Sequence, residues 1–291
     1  MWVQETRFFG GWRPKRDSTP FSLVGVPLDE TVSFNPGTRF APSYIRLVSE
    51  SLEWYSFYSE SDASELGVYD EGDLVVKPGD LRGSLALVED ALRDLRDEDR
   101  IPILIGGEHT ITYASKSIVD DNTLFIVFDA HLDLRDEYLG SKLNHATFMR
   151  RLLEYVPGEN IIYIGTRAVC REELECARRN SIRIITSRRV WVYGPGETAR
   201  RLARVVSRAD KVYVSIDMDV FDPAYAPGVG TPEPLGLDPN SMVQILVSIV
   251  DSNLIGADIV ETNPMCDAGY TTSALAAKLV IEMIAKARLW V

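Results

Sequence analysis

Seven short apolar runs, each bounded by polar or turn-forming residues, constrain the fold more than any other feature of this sequence. They are FSLVGV (21–26), IPILIG (101–106), TLFIVF (123–128), NIIYIG (160–165), IRIIT (182–186), KVYVSI (211–216) and GADIV (256–260). Most are continuously apolar rather than alternating, which is typical of strands buried on both faces. The sequence therefore predicts a sheet that is covered on both sides.

Segments with helical spacing of apolar residues lie between several of these runs. They are SYIRLVSESLEW (43–54), SLALVEDALRDLRDEDR (84–100), RLARVVSRA (201–209) and PNSMVQILVSIVDSN (239–253), the last capped by Asp238 or Asn240. Alternating strands and helices predict a three-layer αβα fold around a mostly parallel sheet. No linker, repeat or low-complexity tract divides the chain, so we expect one domain over residues 1–291, with 1–20 as an N-terminal extension.

Composition narrows the possible partners. The net charge of −12 argues against nucleic acid and anionic membranes, and no apolar run is long enough to cross a bilayer. Cys170, Cys176 and Cys266 have no metal-binding spacing, and an odd number cannot all pair, which favours reduced thiols in the cytoplasm. A small cationic molecule is the expected partner.

Polar clusters follow four of the predicted strands. His109 follows the second run, Asp129, His131 and Asp133 follow the third, Asp217, Asp219 and Asp222 follow the sixth, and Glu261 follows the seventh. Because ligands of parallel sheets bind at the carboxyl ends of the strands, these side chains are expected to meet at one edge. In extended backbone, Asp129, His131 and Asp133 would share a face.

Carboxylates gathered in an apolar setting need a countercharge, and divalent cations supply it. Four Asp and two His exceed the ligands that one tetrahedral ion uses, so we expect two ions with bridging carboxylates. Oxygen-rich ligands with imidazole suit Mn²⁺ and are compatible with Zn²⁺, Co²⁺ or Fe²⁺. A hydroxide shared by both ions would then be the nucleophile.

Each motif taken alone has a simpler interpretation. An Asp after a strand is commonly a helix cap or a turn former, and His109 or His131 could belong to an ordinary turn. The combination favours a site, because all three histidines of the chain fall at or near these strand ends.

The motifs GGEHT, FDAHLD, SIDMDVFDPAYAPGVGTPEPLG and VETNP resemble, in order and spacing, those of the ureohydrolase family of arginases and agmatinases. NPGTRFAPSYIR (35–46) resembles a further family segment. The resemblance covers most of the chain from about residue 21 and is strongest to agmatinases. It implies an arginase-like sheet of about eight strands, two Mn²⁺ per subunit, and hydrolysis of a guanidino compound to urea and an amine.

Residue roles follow from the same resemblance. The first ion would be bound by His109, Asp129, Asp133 and Asp217, and the second by His131, Asp129, Asp217 and Asp219. His145 matches the loop histidine that passes a proton to the leaving amine, and Glu261 matches the acid that binds the guanidinium. Thr231 and Asn144 are the further expected substrate contacts. Two departures from the family pattern are Glu108, where Asp is common, and Leu235, where Gly is usual and a change could reshape the pocket beside Thr231.

The loop after the third strand bears on the substrate. Its Asp136 and Glu137 would repel an α-carboxylate and favour a second amine, so agmatine, hydrolysed to putrescine in polyamine biosynthesis, suits it better than arginine. The same two acids could instead pair with Arg135 or Arg150 at the surface. Aminopropylagmatine ureohydrolase, arginase, guanidinobutyrase and a metal-binding protein without enzymatic activity remain alternatives.

A histone-deacetylase-like site would need paired histidines, and a phosphoesterase would need an Arg clamp or a glycine-rich loop, which the sequence does not offer. The family resemblance further implies a homo-oligomer, a trimer or a hexamer.

Overall fold

All seven predicted strands are present and lie in one sheet. A computed structural model describes residues 3–4, 7–287 and 290 of the chain. The strands are β1 (Val3–Gln4), β2 (Phe21–Val26), β3 (Tyr55–Ser56), β4 (Ser61–Asp62), β5 (Tyr69–Leu74), β6 (Ile101–Gly106), β7 (Thr123–Phe128), β8 (Ile161–Thr166), β9 (Arg183–Thr186), β10 (Lys211–Asp217) and β11 (Leu254–Val260). The helices are α1 (Ala41–Ser49), α2 (Leu81–Asp97), α3 (Phe148–Leu152), α4 (Arg171–Arg179), α5 (Ser187–Tyr193), α6 (Pro195–Val206), α7 (Pro239–Ile249) and α8 (Thr271–Ala287).

The main sheet has the order β1-β5-β2-β6-β11-β10-β7-β8-β9. Eight of its strands are parallel, and the two-residue β1 joins β5 at the edge in antiparallel register. Strands β3 and β4 form a separate small ribbon. The expected parallel sheet of about eight strands is therefore confirmed.

Successive residues of one strand pack into different cores, as the apolar runs predict. Leu23 belongs to a cluster with residues of α1, α6, α7 and α8, whereas its neighbour Val24 packs against α2. On β7, Ile126 joins the first cluster and Phe125 packs with α3 and α4. Helices thus cover both faces of the sheet and form the three layers.

The apolar pattern does not indicate strand β5, because this strand carries acidic residues. Asp70 and Asp73 on β5 are buried against Arg46 of α1, whose Nε lies 2.7 Å from Asp70 Oδ2 and whose Nη1 lies 2.5 Å from Asp73 Oδ1. The backbone N–H of Phe9 also donates to Asp70. An internal ion pair therefore replaces apolar contacts at this edge and holds the N-terminal segment.

The order of the central strands brings the polar clusters together. Strands β6, β11, β10 and β7 are consecutive neighbours, and all four point their carboxyl ends the same way. A 3-10 helix (His109–Ser117) follows β6 and a short one (Met218–Val220) follows β10. Asp238 caps α7 by accepting from Ser241 N, which decides between the two expected capping residues.

Candidate metal centre

The first cluster of the site is built around His109. Its Nδ1 lies 3.3 Å from Asp129 Oδ2, 3.2 Å from Asp133 Oδ2 and 3.1 Å from Asp217 Oδ2. These residues come from the ends of β6, β7 and β10, and all four are buried. Asp133 has φ of +52°, a left-handed conformation that is unusual for Asp and that replaces the extended continuation expected after β7.

The second cluster is built around His131 and shares Asp129 with the first. His131 Nδ1 lies 2.9 Å from Asp219 Oδ2 and 3.6 Å from Asp129 Oδ1. Asp219 is held in place because its N–H donates to Asp217 Oδ1 and its Oδ1 accepts from Ala130 N. The expected metal ligands thus converge in two adjacent groups, although Asp222, which follows them in sequence, instead accepts from Ala224, Leu235 and Gly236 in the next loop.

Two buried atoms at the centre of the clusters have no hydrogen-bond partner in the described structure. They are His109 Nδ1 and Asp129 Oδ2, and they face each other. A buried polar atom without a partner is costly, and two that converge with further carboxylates are explained by a cation between them. The groups His109, Asp129, Asp217 and Asp129, His131, Asp219 could each hold a metal ion.

The pKa values of residues in the first cluster also indicate a site for a cation. Burial and the neighbouring Asp129 raise the pKa of Asp133 to about 7, and burial together with Asp219 raises the pKa of Asp217 well above its usual value. Burial acts to lower the pKa of His109, but the adjacent carboxylates of Asp129, Asp133 and Asp217 raise it well above its usual value. Without metal, these raised pKa values favour protonation of the site. The site therefore favours positive charge, which divalent ions can supply.

Glu261 sits directly after β11, against the first cluster. Its Oε1 accepts a 2.6 Å hydrogen bond from His109 N, and its backbone φ is +63°. Burial raises the pKa of Glu261 to about 8. A strained residue with a single fixed oxygen and a perturbed pKa is typical of a functional carboxylate.

A cavity of about 480 Å³ opens over the second cluster. Its lining includes His131, Asp133, His145 and Thr231. Thr231 Oγ1 lies 3.4 Å from Asp219 Oδ2. Glu261, the residue after β11, is not among the residues that line this cavity.

His145 lies at the cavity wall, where its ring contacts the loop between β2 and α1. Its Nδ1 lies 3.4 Å from Thr31 Oγ1 and its Nε2 lies 3.2 Å from Ser33 Oγ. Burial lowers the pKa of His145 to about 4, so the ring is neutral near pH 7. Asn144, expected as a substrate contact, is 2% exposed and donates its side-chain amide to the carbonyls of Tyr138 and Ser141.

Asp136 and Glu137, in the loop after β7, are not among the residues that line the cavity. Asp136 Oδ1 lies 2.6 Å from Arg151 Nη2, and Lys142 is 3.8 Å from its other oxygen. Glu137 is exposed. The surface interpretation therefore fits Asp136, with Arg151 as the partner instead of the expected Arg135 or Arg150.

The two departures from the motif have separate effects. Glu108 is fully buried and accepts from Glu30 N, Thr31 N and Thr31 Oγ1, so it anchors the loop that touches His145. Leu235 is 81% exposed at φ of +66°, which explains why Gly is usual there. Its side chain lines a different depression, with Trp191, and does not reach the cavity wall beside Thr231.

The motifs did not indicate the role of Arg167, at the end of β8. Its guanidinium donates to six backbone carbonyls, those of Gly165, Asp219, Val220, Phe221, Glu233 and Pro234. These bonds fasten the loop after β10, which carries Asp219 and Thr231. The signal that the sequence offered was an Arg one residue beyond the apolar run NIIYIG (160–165).

Comparison with known proteins matches this geometry. The model of the Arginase family matches residues 19–285. The chain belongs to the arginase family. The agmatinase of Bacillus cereus is 35% identical over 278 residues, which cover 93% of each sequence. The N(1)-aminopropylagmatine ureohydrolase of Thermococcus kodakarensis is 36% identical, covering 91% of this chain and 89% of that protein.

A solved structure of another ureohydrolase has the same fold as this chain. The agmatine ureohydrolase of Thermoplasma volcanium superposes with a TM-score of 0.90 at 33% identity, over 99% of this chain and 96% of that one. Arginase-family enzymes are ureohydrolases that act on guanidino groups through a binuclear metal cluster, and this member has both ligand groups. Among the described helices, none combines the length and the apolar character that a membrane span requires.

Proposed function

We propose that this arginase-family protein hydrolyses agmatine to urea and putrescine with two Mn²⁺ ions. The observation that carries the proposal is the pair of ligand groups that share Asp129 and adjoin a cavity of about 480 Å³. Agmatine is proposed as the substrate because the agmatinase of Bacillus cereus is 35% identical over 93% of this chain. A net charge of −12 favours a cationic substrate over an acidic one.

Six side chains would hold the ions. His109, Asp129, Asp133 and Asp217 would bind the first, and His131, Asp129, Asp217 and Asp219 the second. When bound, the ions supply a hydroxide at neutral pH by acidifying water, and they offset the charge of the carboxylates. Mn²⁺ is proposed because the set is rich in oxygen and has no thiolate.

Glu261 would orient the guanidinium. The His109 N–H fixes one of its oxygens, which leaves the other for the substrate. Charge-assisted hydrogen bonds to a carboxylate fix the orientation of a planar guanidinium cation. The raised pKa of Glu261 falls when a cation approaches, so substrate binding itself favours the ionised form.

His145 would deliver a proton to the leaving amine. Because its ring is neutral near pH 7, it acts as a relay that gives one proton while it takes another from solvent or from a neighbouring hydroxyl. Ser33 Oγ and Thr31 Oγ1 lie at its two nitrogens and hold the ring in orientation.

Thr231 is proposed as a substrate contact, since it lines the cavity. Asn144 is proposed to act through the shape of the loop that carries His145, since its amide is bonded within that loop. We also propose that the bound ions are Mn²⁺, that the protein forms a trimer or a hexamer, and that it lies in the cytoplasm.

The test is urea release from a panel of guanidines. Agmatine, aminopropylagmatine, arginine and guanidinobutyrate are each incubated with the Mn²⁺-loaded protein, and kcat/KM is measured. Agmatine should have the highest value. A higher value for aminopropylagmatine would instead assign the activity named for the Thermococcus kodakarensis relative, and no urea from any of the four would reject the proposed function.

A further inference from the structure

Glu233 is a carboxylate of the cavity that the chemistry above does not use. It lines the cavity together with His131 and Thr231, and its side chain is 40% exposed. Among the residues that the structure describes, no Lys or Arg forms an ion pair with Glu233, and its Oε1 lies 3.9 Å from His131 Nε2. A carboxylate that faces a cavity without a Lys or Arg partner is available to a cationic ligand.

The backbone at Glu233 is fixed, although its carboxylate is available. Arg167 Nη2 donates to the Glu233 carbonyl at 2.6 Å, and Pro232 and Pro234 restrict the chain on either side. Arg167 also lines the cavity, but its guanidinium donates to six backbone carbonyls, so none of its N–H groups remains for a ligand. The cavity therefore presents the Glu233 carboxylate from a rigid segment.

The stretch from Gly230 to Glu233 leads from the proposed guanidinium acid to this carboxylate. A bridge pairs Val229 with Thr262, and a Cβ placed on Gly230 would lie 3.7 Å from Glu261 Oε2, the oxygen proposed to bind the substrate. Three residues span at most about 10 Å, and the carbon chain of agmatine spans about 6 Å between its two nitrogens. A substrate whose guanidinium lies at Glu261 can therefore reach Glu233 with its far amine.

Two further charged residues line the cavity and fit this role less well. Glu173 is 3% exposed, and its two oxygens accept from the backbone N–H groups of Leu134 and Cys170. Arg135 lies over the Tyr138 ring, 5.0 Å from its centroid, and would repel an amine. Arg135 would instead favour a substrate that ends in a carboxylate.

We propose that Glu233 is a specificity-determining residue, which binds the far ammonium group of the substrate and so selects guanidines that end in an amine. The inference rests on the proposed hydrolysis of a guanidine and identifies the side chain that recognises the other end of the molecule. An ion pair at a partly exposed carboxylate is weakened by water and salt, so the expected effect is moderate.

The experiment compares agmatine with butylguanidine, which has the same carbon chain without the amine, and with guanidinobutyrate, which ends in a carboxylate. Urea release is measured for the Mn²⁺-loaded wild type, Glu233→Gln and Glu173→Gln, with bound Mn²⁺ measured in parallel. Both substitutions keep the size of the side chain and remove its charge. The ratio of kcat/KM for agmatine to that for butylguanidine isolates recognition of the amine, because damage to the metal centre lowers both values.

In the wild type, kcat/KM for agmatine should exceed that for butylguanidine by about tenfold or more. Glu233→Gln should lower the agmatine value by about tenfold, keep the butylguanidine value within about twofold, and retain the wild-type metal content. Glu173→Gln should leave the ratio of the two substrates unchanged.

Three results with an active protein would overturn the inference. They are an equal rate of hydrolysis of agmatine and butylguanidine by the wild type or its preference for guanidinobutyrate, an unchanged ratio in Glu233→Gln, and a selective loss of agmatine hydrolysis in Glu173→Gln. A wild type that releases urea from none of the three substrates would reject the proposed function, and the inference with it.

Discussion

At the scale of single residues, Asp129 has the central position. Its two oxygens face the two histidines, Oδ2 toward His109 Nδ1 and Oδ1 toward His131 Nδ1. Burial acts to raise the pKa of Asp129, but the adjacent side chains of His109 and His131 lower it below the usual value. It is therefore ionised and common to both proposed ions.

Asp129→Asn should abolish metal retention and urea release together, because the variant removes the shared negative charge and one ligand oxygen from both groups. Metal content after dialysis and the rate with agmatine measure the two effects. Asp136→Asn is the control, since the Asp136 side chain is half-exposed and pairs with Arg151, and the variant should change the rate by less than about twofold. Turnover retained by Asp129→Asn would show that the cluster is misassigned.

Glu261→Gln should lower kcat/KM for agmatine by about 100-fold or more while the metal content stays at the wild-type level. The amide keeps an oxygen that can accept from His109 N but cannot offset the guanidinium charge. Steady-state kinetics with parallel metal analysis separates these effects. A kcat/KM close to wild type would remove Glu261 from substrate binding.

Much of the site could be predicted at this scale because it lies in short motifs at strand ends. Asp129, His131, Asp217 and Asp219 are close in sequence to the strands that carry them, so the strand order alone brings them together. Contacts between distant segments could not be predicted from local pattern. The hydrogen bonds of His145 to the loop at Thr31, 114 residues away in sequence, are such a case.

At the scale of elements, the loop after β10 depends on Arg167. Five of its six donated hydrogen bonds go to carbonyls of this loop, those of Asp219, Val220, Phe221, Glu233 and Pro234. The loop is long and irregular, so a fixed shape needs such a partner.

Arg167→Ala should destabilise the protein by about 3 kcal/mol and weaken binding of the ion at Asp219, because several carbonyls lose their partner. Urea denaturation and Mn²⁺ titration measure the two effects. Arg171→Ala is the matched control, since Arg171 is 92% exposed and pairs with Glu175 on one surface of α4, and it should cost less than about 0.5 kcal/mol. Equal stability of the two variants would contradict the role of Arg167.

Elements differ in how far they could be predicted, and the reason is the kind of residue they bury. Strands such as β6 and β7 are apolar throughout and were evident. Strand β5, YDEGDL, contains three acids, and it is a strand because Arg46 neutralises two of them from another part of the chain. Helix α4, REELECARR, is mostly charged and lies on the outside, so apolar spacing gave little signal.

At the scale of the whole molecule, the fold creates the site through strand order. Four neighbouring strands of the sheet, β6, β11, β10 and β7, combine two distant parts of the sequence, residues 101–128 and 211–260, and each strand ends in part of the polar cluster. Alternation of strands and helices predicted the three layers and the parallel sheet. The pattern could not give the antiparallel β1 at the edge, because two residues are too few to show periodicity.

The most direct test of the central claim is a titration of metal-free protein with Mn²⁺, in which bound metal and urea release from agmatine are followed together. Two ions sharing Asp129 predict that the rate rises until two equivalents per chain are bound and that no urea forms without metal. Full activity with one equivalent, or hydrolysis in the metal-free protein, would contradict the binuclear assignment.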